Sequence, residues 1–275
     1  VYIDDMEGGN IEIENIKTGK GSVGDLIINS NSVLLDDDQQ KILTYVKIDD
    51  AVAANKLIIN SFSNVKLNSA YALNGRLEVK AAGDVVAELI NAAKETYIST
   101  FIGIIDITKV ISGGNILLFA LIGGIEVDDI VTLNPEADIE LLQWYGDINI
   151  SNASSARDLN FTNLSGNVYI DKISAANDIN INVGNDISIN NSFAGNDINL
   201  GGGNGKIDIA NTNIGNNLKV LLISGEMTVN NVNVGNNVNI NSYSKKTASF
   251  NKFQSDSFNI KDNGLTSLNI TDSKK

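Results

Sequence analysis

A row of polar side chains recurs about every 20 residues in the second half of the chain. Each member stands between two apolar residues, as Asn180 does in Ile179-Asn180-Ile181, so a strand would point its side chain to the face opposite theirs. A side-chain amide offers two N–H donors and a carbonyl acceptor. In stacked strands about 4.8 Å apart, the amides either bond to each other along a solvated face or bind a polar repetitive ligand such as a glycan. The row comprises Asn160, Asn180, Asn199, Lys219, Asn239 and Asn259.

A second outward row adds an aromatic residue, Tyr169, and Trp144 and Tyr145 stand one coil earlier. Aromatic rings beside amides suit stacking against sugars, although such residues also occupy ordinary coil edges. The rest of this row is polar, with Asn149, Ser188, Asp208 and Thr228. We therefore predict a ligand-binding set of Trp144, Tyr145, Tyr169, Asn160, Asn180, Asn199 and Asn239.

The composition offers few groups for catalysis. The chain contains no His and no Cys, which removes Ser-His-Asp and Cys-His arrangements, thiolate metal sites and the usual zinc ligands. The acidic residues are scattered, so no carboxylate pair is singled out for glycoside hydrolysis. Asp36-Asp37-Asp38 and Asp128-Asp129 could bind calcium weakly, but such runs are usually solvated loops. We predict no catalytic set, no metal site and no cofactor.

The elements that carry these side chains follow from the repeat. The phrase Gly or Asn, Asp or Asn, aliphatic, variable, aliphatic recurs from Ala137 to Ile270, with spacings that alternate between about 11 and about 8 or 9 residues. Alternating apolar and polar residues are typical of half-buried strands. A period of about 20 residues with two or three strands predicts an all-β fold, a parallel β-solenoid of about a dozen coils. Two inward registers are Ile148, Val168, Ile187, Ile207, Met227 and Leu159, Ile179, Ile198, Leu218, Val238, Phe258.

Further registers are predicted with less regular spacing. Asn191, Asn211 and Asn231 are expected to point inward or to lie at a corner, where their amides would satisfy bent backbone. Two more apolar registers are predicted, Ala153, Ile173, Phe193, Ile214, Val234 and Leu164, Val183, Ile223, Tyr243.

The first half of the chain repeats less regularly. Leu26 and Leu57, in equivalent phrases, are about 31 residues apart, which predicts an inserted loop with its tip at Asp36 to Gln40. The apolar stretch from Asp84 to Leu142 predicts longer or wider coils, or a segment that covers a face, and Glu88 to Lys94 could form a short helix. The turn at Asn134-Pro135 divides irregular coils (residues 1–136) from regular coils with a C-terminal cap (137–275).

The chain is acidic, with a formal net charge of −13 and only 20 Lys plus Arg. This argues against nucleic acid or an anionic membrane surface as partner. The apolar run from Ile102 to Ile122 contains Asp106 and Lys109, so we predict no membrane insertion. Because strand-like residues begin at once and no signal peptide is visible, we expect flanking segments of a longer chain.

Three consecutive phrases carry a family resemblance: Ala176-Asn177-Asp178-Ile179-Asn180-Ile181, Gly184-Asn185-Asp186-Ile187-Ser188-Ile189 and Ala194-Gly195-Asn196-Asp197-Ile198-Asn199-Leu200. They resemble the repeats of filamentous-haemagglutinin-type adhesins and related secreted passenger stalks, over Ala137 to Ile270. The resemblance implies a secreted, extracellular adhesin on a bacterial cell surface. The irregular half followed by a regular half is more weakly similar to tāpirins, cellulose-binding surface proteins of bacteria.

These observations predict a non-enzymatic adhesin fragment that mediates cell adhesion. Its solenoid faces would bind a polysaccharide, with cellulose as one candidate, or a host-surface glycan. Two alternatives stay open: a β-helix polysaccharide lyase or glycoside hydrolase, and a purely structural stalk.

Overall fold

The computed structural model describes residues 1–5, 10–19, 24–30, 34–35, 41–42, 45–243, 247–262 and 267–274. These residues form an all-β fold of parallel sheets with about 20 residues per turn, which confirms the predicted β-solenoid. The structure divides into two compact units, residues 1–137 and 138–275. Among the described residues, no helix is long and apolar enough to span a membrane.

Unit 1 has two parallel sheets, one of odd-numbered strands in the order β1-β3-β7-β9-β11-β13 and one in the order β2-β6-β8-β10-β12-β14. β4 and β5 form a small antiparallel pair. Its strands are β1 Tyr2–Asp5, β2 Ile11–Thr18, β3 Leu26–Ser30, β4 Leu34–Leu35, β5 Lys41–Ile42, β6 Tyr45–Ala53, β7 Leu57–Ser61, β8 Asn64–Ala72, β9 Leu77–Ala81, β10 Val85–Ala92, β11 Thr96–Ile102, β12 Ile105–Ser112, β13 Ile116–Ile122 and β14 Ile125–Thr132.

The pairing in unit 1 tests the predicted irregularities. Leu26 pairs with Leu57, so this turn is longer than the others and contains the predicted insertion, although the expected tip at Asp36 to Gln40 lies outside the described residues. Val85 pairs with Ile105 and Ile105 with Ile125, a constant offset that makes the prediction of longer or wider coils wrong. The short helix proposed for Glu88 to Lys94 is also wrong, because most of this segment belongs to strand β10.

Unit 2 repeats the two-sheet arrangement. We call its sheets the odd-strand sheet, β15-β17-β19-β21-β23-β25-β27, and the even-strand sheet, β16-β18-β20-β22-β24-β26-β28. The strands are β15 Ile139–Tyr145, β16 Ile148–Ser155, β17 Leu159–Ser165, β18 Val168–Ala175, β19 Ile179–Val183, β20 Ile187–Ala194, β21 Ile198–Gly202, β22 Ile207–Ile214, β23 Leu218–Leu222, β24 Met227–Val234, β25 Asn237–Ser242, β26 Thr247–Gln254, β27 Ser257–Asp262 and β28 Ser267–Lys274.

The aspartate that directly precedes each of β17, β19 and β21 has a structural cause. The Oδ1 of Asp158 accepts the backbone N–H of Asp178 at 3.0 Å, and Oδ1 of Asp178 accepts that of Asp197 at 2.9 Å. Oδ1 of Asp197 accepts the N–H of Asn217 in the same way, at 3.0 Å. Because a corner breaks the ladder of backbone hydrogen bonds, each side chain satisfies a donor of the next turn.

The two main inward registers are confirmed. Residues from Ile148 to Met227 pair in register through the even-strand sheet, and residues from Leu159 to Phe258 do so through the odd-strand sheet. Apart from Phe258, which is only partly buried, their side chains are almost completely buried. No turn has a core of its own, so each turn packs its aliphatic residues on those of its neighbours.

The third predicted register is wrong at Phe193. Ile173 pairs with Ser192, and Phe193 is exposed on the opposite face. The turn from β18 to β20 is one residue shorter than its neighbours, and a shift of one residue moves a side chain to the other face of a strand. The buried rows are instead Ala153, Ile173, Ser192, Thr212, Val232 and Ser155, Ala175, Ala194, Ile214, Val234.

The fourth predicted register is mostly wrong too. Val183 is buried, but Leu164, Ile223 and Tyr243 are exposed. The row that pairs with Val183 and is buried or nearly so contains Asn163, Gly202, Leu222 and Ser242.

Of the two placements predicted for the Asn191, Asn211 and Asn231 row, inward or at a corner, the inward one is wrong. All three are exposed, at the point where the even-numbered strands bend. Asn211 and Asn231 have φ of 51° and 57°, a left-handed conformation that Asn tolerates better than most residues. Nδ2 of Asn231 donates to Oδ1 of Asn211 at 2.8 Å, so the amides do form a ladder, but on the outside.

Candidate functional site

A groove of about 710 Å³ crosses the outer face of the odd-strand sheet in unit 2. Because successive side chains of a strand point to opposite faces, the aliphatic residues of this sheet fill the core and the residues between them line the groove. We call it the amide groove. Its outward-pointing lining consists of two rows, Asn160, Asn180, Asn199, Lys219, Asn239, Asn259 and Thr162, Asn182, Gly201, Leu221, Asn241, Lys261.

The first row is in strict register. Asn160 pairs with Asn180 and Asn180 with Asn199, and the pairing continues to Asn259. Nδ2 of Asn180 donates to Oδ1 of Asn160 at 2.8 Å, and Nδ2 of Asn199 donates to Oδ1 of Asn180 at 2.7 Å. Each of these bonds uses one N–H and one carbonyl lone pair. The central amide, Asn180, therefore keeps one N–H and one lone pair for a partner outside the row.

The second row lies two residues further along each strand, about 7 Å from the first. Asn182 and Asn241 add two amides, and Thr162 adds a hydroxyl. Leu221 is the apolar member of this row, and Gly201 leaves the groove open beside it. Sequence reasoning missed this row, although the alternation that placed Asn180 outward places Asn182 outward too.

Lys219 is held in place at the edge of the groove. Its Nζ lies 2.5 Å from Oδ2 of Asp197, whose side chain is only 10% exposed. Burial alone would raise the pKa of Asp197, but hydrogen bonds from Lys219 and Asn217 together lower that pKa below its ordinary value. The ion pair thus fixes one cationic group beside a row of amides.

The structure brings together only part of the predicted site. Asn160, Asn180, Asn199 and Asn239 line the amide groove. Trp144 and Tyr145 are exposed at the end of strand β15 and are not among the described lining residues. Tyr169 belongs to strand β18 of the even-strand sheet. Partial burial raises the pKa of Tyr169, and the carboxylates of Asp147 and Asp186 add to the effect.

A second depression, of about 410 Å³, lies on the odd-numbered strands of unit 1. Arg76 Nη2 lies 2.9 Å from Oε2 of Glu78, and Lys80 forms an ion pair with Oε1 of the same carboxylate. The ammonium of Lys80 also lies 5.4 Å from the centre of the Tyr97 ring. Glu95 completes this cluster of two carboxylates, two cations and one phenol.

Metal ligands are not clustered in the part of the chain that the structure describes, where no group of three or more His, Cys, Asp or Glu is found. Of the two acidic runs, Asp128-Asp129 is described, and Asp129 forms an ion pair with Lys109 at 2.7 Å. Asp36-Asp37-Asp38 lies outside the described residues.

Comparison with known proteins adds no family assignment. No protein-family model, no curated protein and no solved structure matches this chain. The assignment of function therefore depends on the groove itself.

Proposed function

We propose that this protein is a non-enzymatic, extracellular adhesin of bacterial origin that binds a polysaccharide chain in the amide groove of unit 2. The observation that carries the proposal is the row of Asn160, Asn180 and Asn199, whose amides are bonded to each other and still present donors and acceptors outward. Export to the cell surface is part of the same proposal and is supported by the resemblance of the repeat to adhesin stalks.

The periodicity of the groove favours a polymer over a small ligand. Stacked strands repeat the same outward amide about every 4.8 Å, so a ligand with regularly repeated hydroxyl groups meets the same partner again at each turn. Hydroxyl groups donate and accept hydrogen bonds, and a side-chain amide offers both functions. Many weak, equivalent contacts along a chain then add up to useful affinity.

The rigidity of the groove lowers the cost of binding. Each amide sits on a strand that is paired on both sides, and the neighbouring amides restrict its side-chain rotation. Side chains that are ordered before a ligand arrives lose little entropy on binding, typically saving about 0.5–1.5 kcal/mol each.

A double variant, Asn180→Ala with Asn199→Ala, tests the proposal. Binding to insoluble cellulose, to a panel of other insoluble polysaccharides and to a glycan array is measured first for the unchanged protein. If each lost amide hydrogen bond contributes about 0.5–1.5 kcal/mol, the double variant should lose roughly 5- to 150-fold in affinity for the polysaccharide that binds.

The matched control is Asn213→Ala with Asn233→Ala, two exposed asparagines that pair in register on the even-strand sheet. The control variant should bind as the unchanged protein does, and both variants should keep the β-sheet circular dichroism spectrum. The proposal fails if the folded protein binds no glycan, or if the control loses as much affinity as the groove variant.

The second candidate function is that of a polysaccharide lyase or glycoside hydrolase acting at the cluster around Glu78. It is favoured by the presence of Glu78, Glu95, Arg76, Lys80 and Tyr97 in one depression, since these groups include acids, cations and a phenol. The test is the release of new reducing ends from soluble polysaccharides. The activity is established if Glu78→Gln abolishes this release and the Asn180→Ala, Asn199→Ala variant retains it. Failure of the unchanged protein to cleave any of them would remove it.

A further inference from the structure

The charges of the amide groove differ from those of the chain as a whole. The protein has a formal net charge of −13, yet the described lining of the groove contains two lysines, Lys219 and Lys261, and no carboxylate. At physiological ionic strength, interactions between exposed charges more than about 8 Å apart are largely screened. The charge of a bound ligand therefore interacts mainly with the groups that line the groove.

The two lysines lie towards one end of the groove. Lys219 belongs to strand β23 and Lys261 to strand β27, whereas the position of the first row on strand β15 is an acidic residue, Glu140, in register with Asn160. The outer face of the odd-strand sheet therefore changes from acidic to basic along the direction in which the strands are stacked.

The residue at the corner before each odd-numbered strand also changes from acidic to neutral between β17 and β27. The residue before each of β17, β19 and β21 is an aspartate, whereas Asn217 precedes β23 and the equivalent residues of the next two strands are Asn237 and Ser257. Asn217 and Asn237 keep the stacking hydrogen bond, since Nδ2 of Asn237 donates to Oδ1 of Asn217 at 3.0 Å. The aspartate of this corner position is thus replaced by a neutral residue at strands β23, β25 and β27, whereas Asp197, one strand earlier, pairs with Lys219.

Both lysines can reach a ligand. The ion pair with Asp197 uses one of the three N–H donors of Lys219 and leaves two. Lys261 is exposed, and no carboxylate is paired with it among the described residues. Two ammonium groups beside a row of amides suit a sugar polymer that also carries oxyanions.

We infer that the ligand of the amide groove is an acidic polysaccharide, with carboxylate or sulfate groups held by Lys219 and Lys261 at the β23–β27 end. This inference rests on the proposed glycan-binding function. Charged groups of the polymer are held at this end of the groove, because the rest of the described lining contains no cationic side chain.

The test measures binding of the full chain to three polymers: a neutral glucan, a polyuronate and a sulfated glucan, each at low and at high salt. The unchanged protein should bind at least one acidic polymer more tightly than the neutral one, and high salt should weaken that binding. Whichever acidic polymer binds more tightly identifies carboxylate or sulfate as the natural group.

The test variant is Lys219→Gln with Lys261→Gln, and the control is Lys172→Gln with Lys206→Gln. The control makes the same change in net charge on the even-strand side, and it also removes one ion-paired lysine, Lys206, and one exposed lysine, Lys172. Exposed ion pairs contribute about 0.2–1 kcal/mol each, so the test variant should lose roughly 2- to 30-fold in affinity for the acidic polymer and most of the salt dependence. Its affinity for the neutral glucan should fall by less than its affinity for the acidic polymer, because the glutamine amides keep hydrogen-bond donors and acceptors in the groove but remove the charge.

Tight binding of the neutral glucan alone, or equal losses in the test and control variants, would overturn the acidic-ligand inference and leave glycan binding standing. Failure of the folded protein to bind any of the three polymers would overturn both.

Discussion

Exchange of two phenylalanines for alanine distinguishes the observed register from the one that the repeat predicts. Phe161 is 1% exposed, between Leu141 and Ile181 of the neighbouring strands. Phe193 is 51% exposed, although the apolar spacing predicts that it points inward. The two variants, Phe161→Ala and Phe193→Ala, remove the same atoms, one set from the core face of β17 and the other from the outer face of β20.

The expected losses in the free energy of unfolding differ clearly. Phe161→Ala removes a buried ring and leaves a cavity, which costs about 3–5 kcal/mol. Full burial of a phenylalanine side chain contributes up to about 3 kcal/mol, and Phe193 is half exposed, so Phe193→Ala should cost no more than about 1.5 kcal/mol.

Aspartate substitutions at neighbouring positions give an independent measure of the same register. Ser192 is buried, with its Oγ 2.6 Å from Oγ1 of Thr212. Ser192→Asp would bury an unpaired charge and should cost several kcal/mol, about 3–5 by analogy with broken buried ion pairs. Phe193→Asp would expose its charge to water and should be tolerated.

Urea unfolding followed by far-UV circular dichroism measures these differences through the midpoint and the slope. The observed register is refuted if Phe193→Ala is as destabilising as Phe161→Ala, or if Phe193→Asp unfolds the protein while Ser192→Asp does not. Either result would place Phe193 in the core and restore the register predicted from apolar spacing alone.

Two further predictions concern a corner glycine and an ion pair. Gly225 has a φ of 120°, and a Cβ there would lie 1.8 Å from the carbonyl oxygen of Gly205. Gly225→Ala should therefore lower the free energy of unfolding by more than about 1 kcal/mol, which a lower urea midpoint would show. The hydrogen bonds that lower the pKa of Asp197 stabilise the fold above its unfolded pKa of about 4, and this contribution is lost as pH falls through the lower folded pKa. The stability difference between the unchanged protein and Asp197→Asn, from urea midpoints, should therefore shrink between roughly pH 5 and pH 2; a constant difference would contradict the role of the Lys219 ion pair.

Part of the candidate site could be predicted because it depends on local alternation. Asn160, Asn180, Asn199 and Asn239 stand between apolar residues, and the face of each is decided within its own strand. The aromatic residues could not be grouped in this way. Trp144 lies on the odd-strand sheet and Tyr169 on the even-strand sheet, and alternation within a strand does not determine which residues of different strands lie close together.

By itself the sequence determined the solenoid, the period of about 20 residues and the outward row of amides. These features are local, because a strand of alternating apolar and polar residues must bury its apolar side, and equivalent residues of successive repeats stack on each other. Only the tertiary structure decided that Ser192, and not Phe193, enters the core, and that Asn211 and Asn231 bend outward. The physical reason is that a turn shorter by one residue, or a left-handed residue within a strand, changes which face every later side chain takes, and the pairing of neighbouring turns selects between the faces.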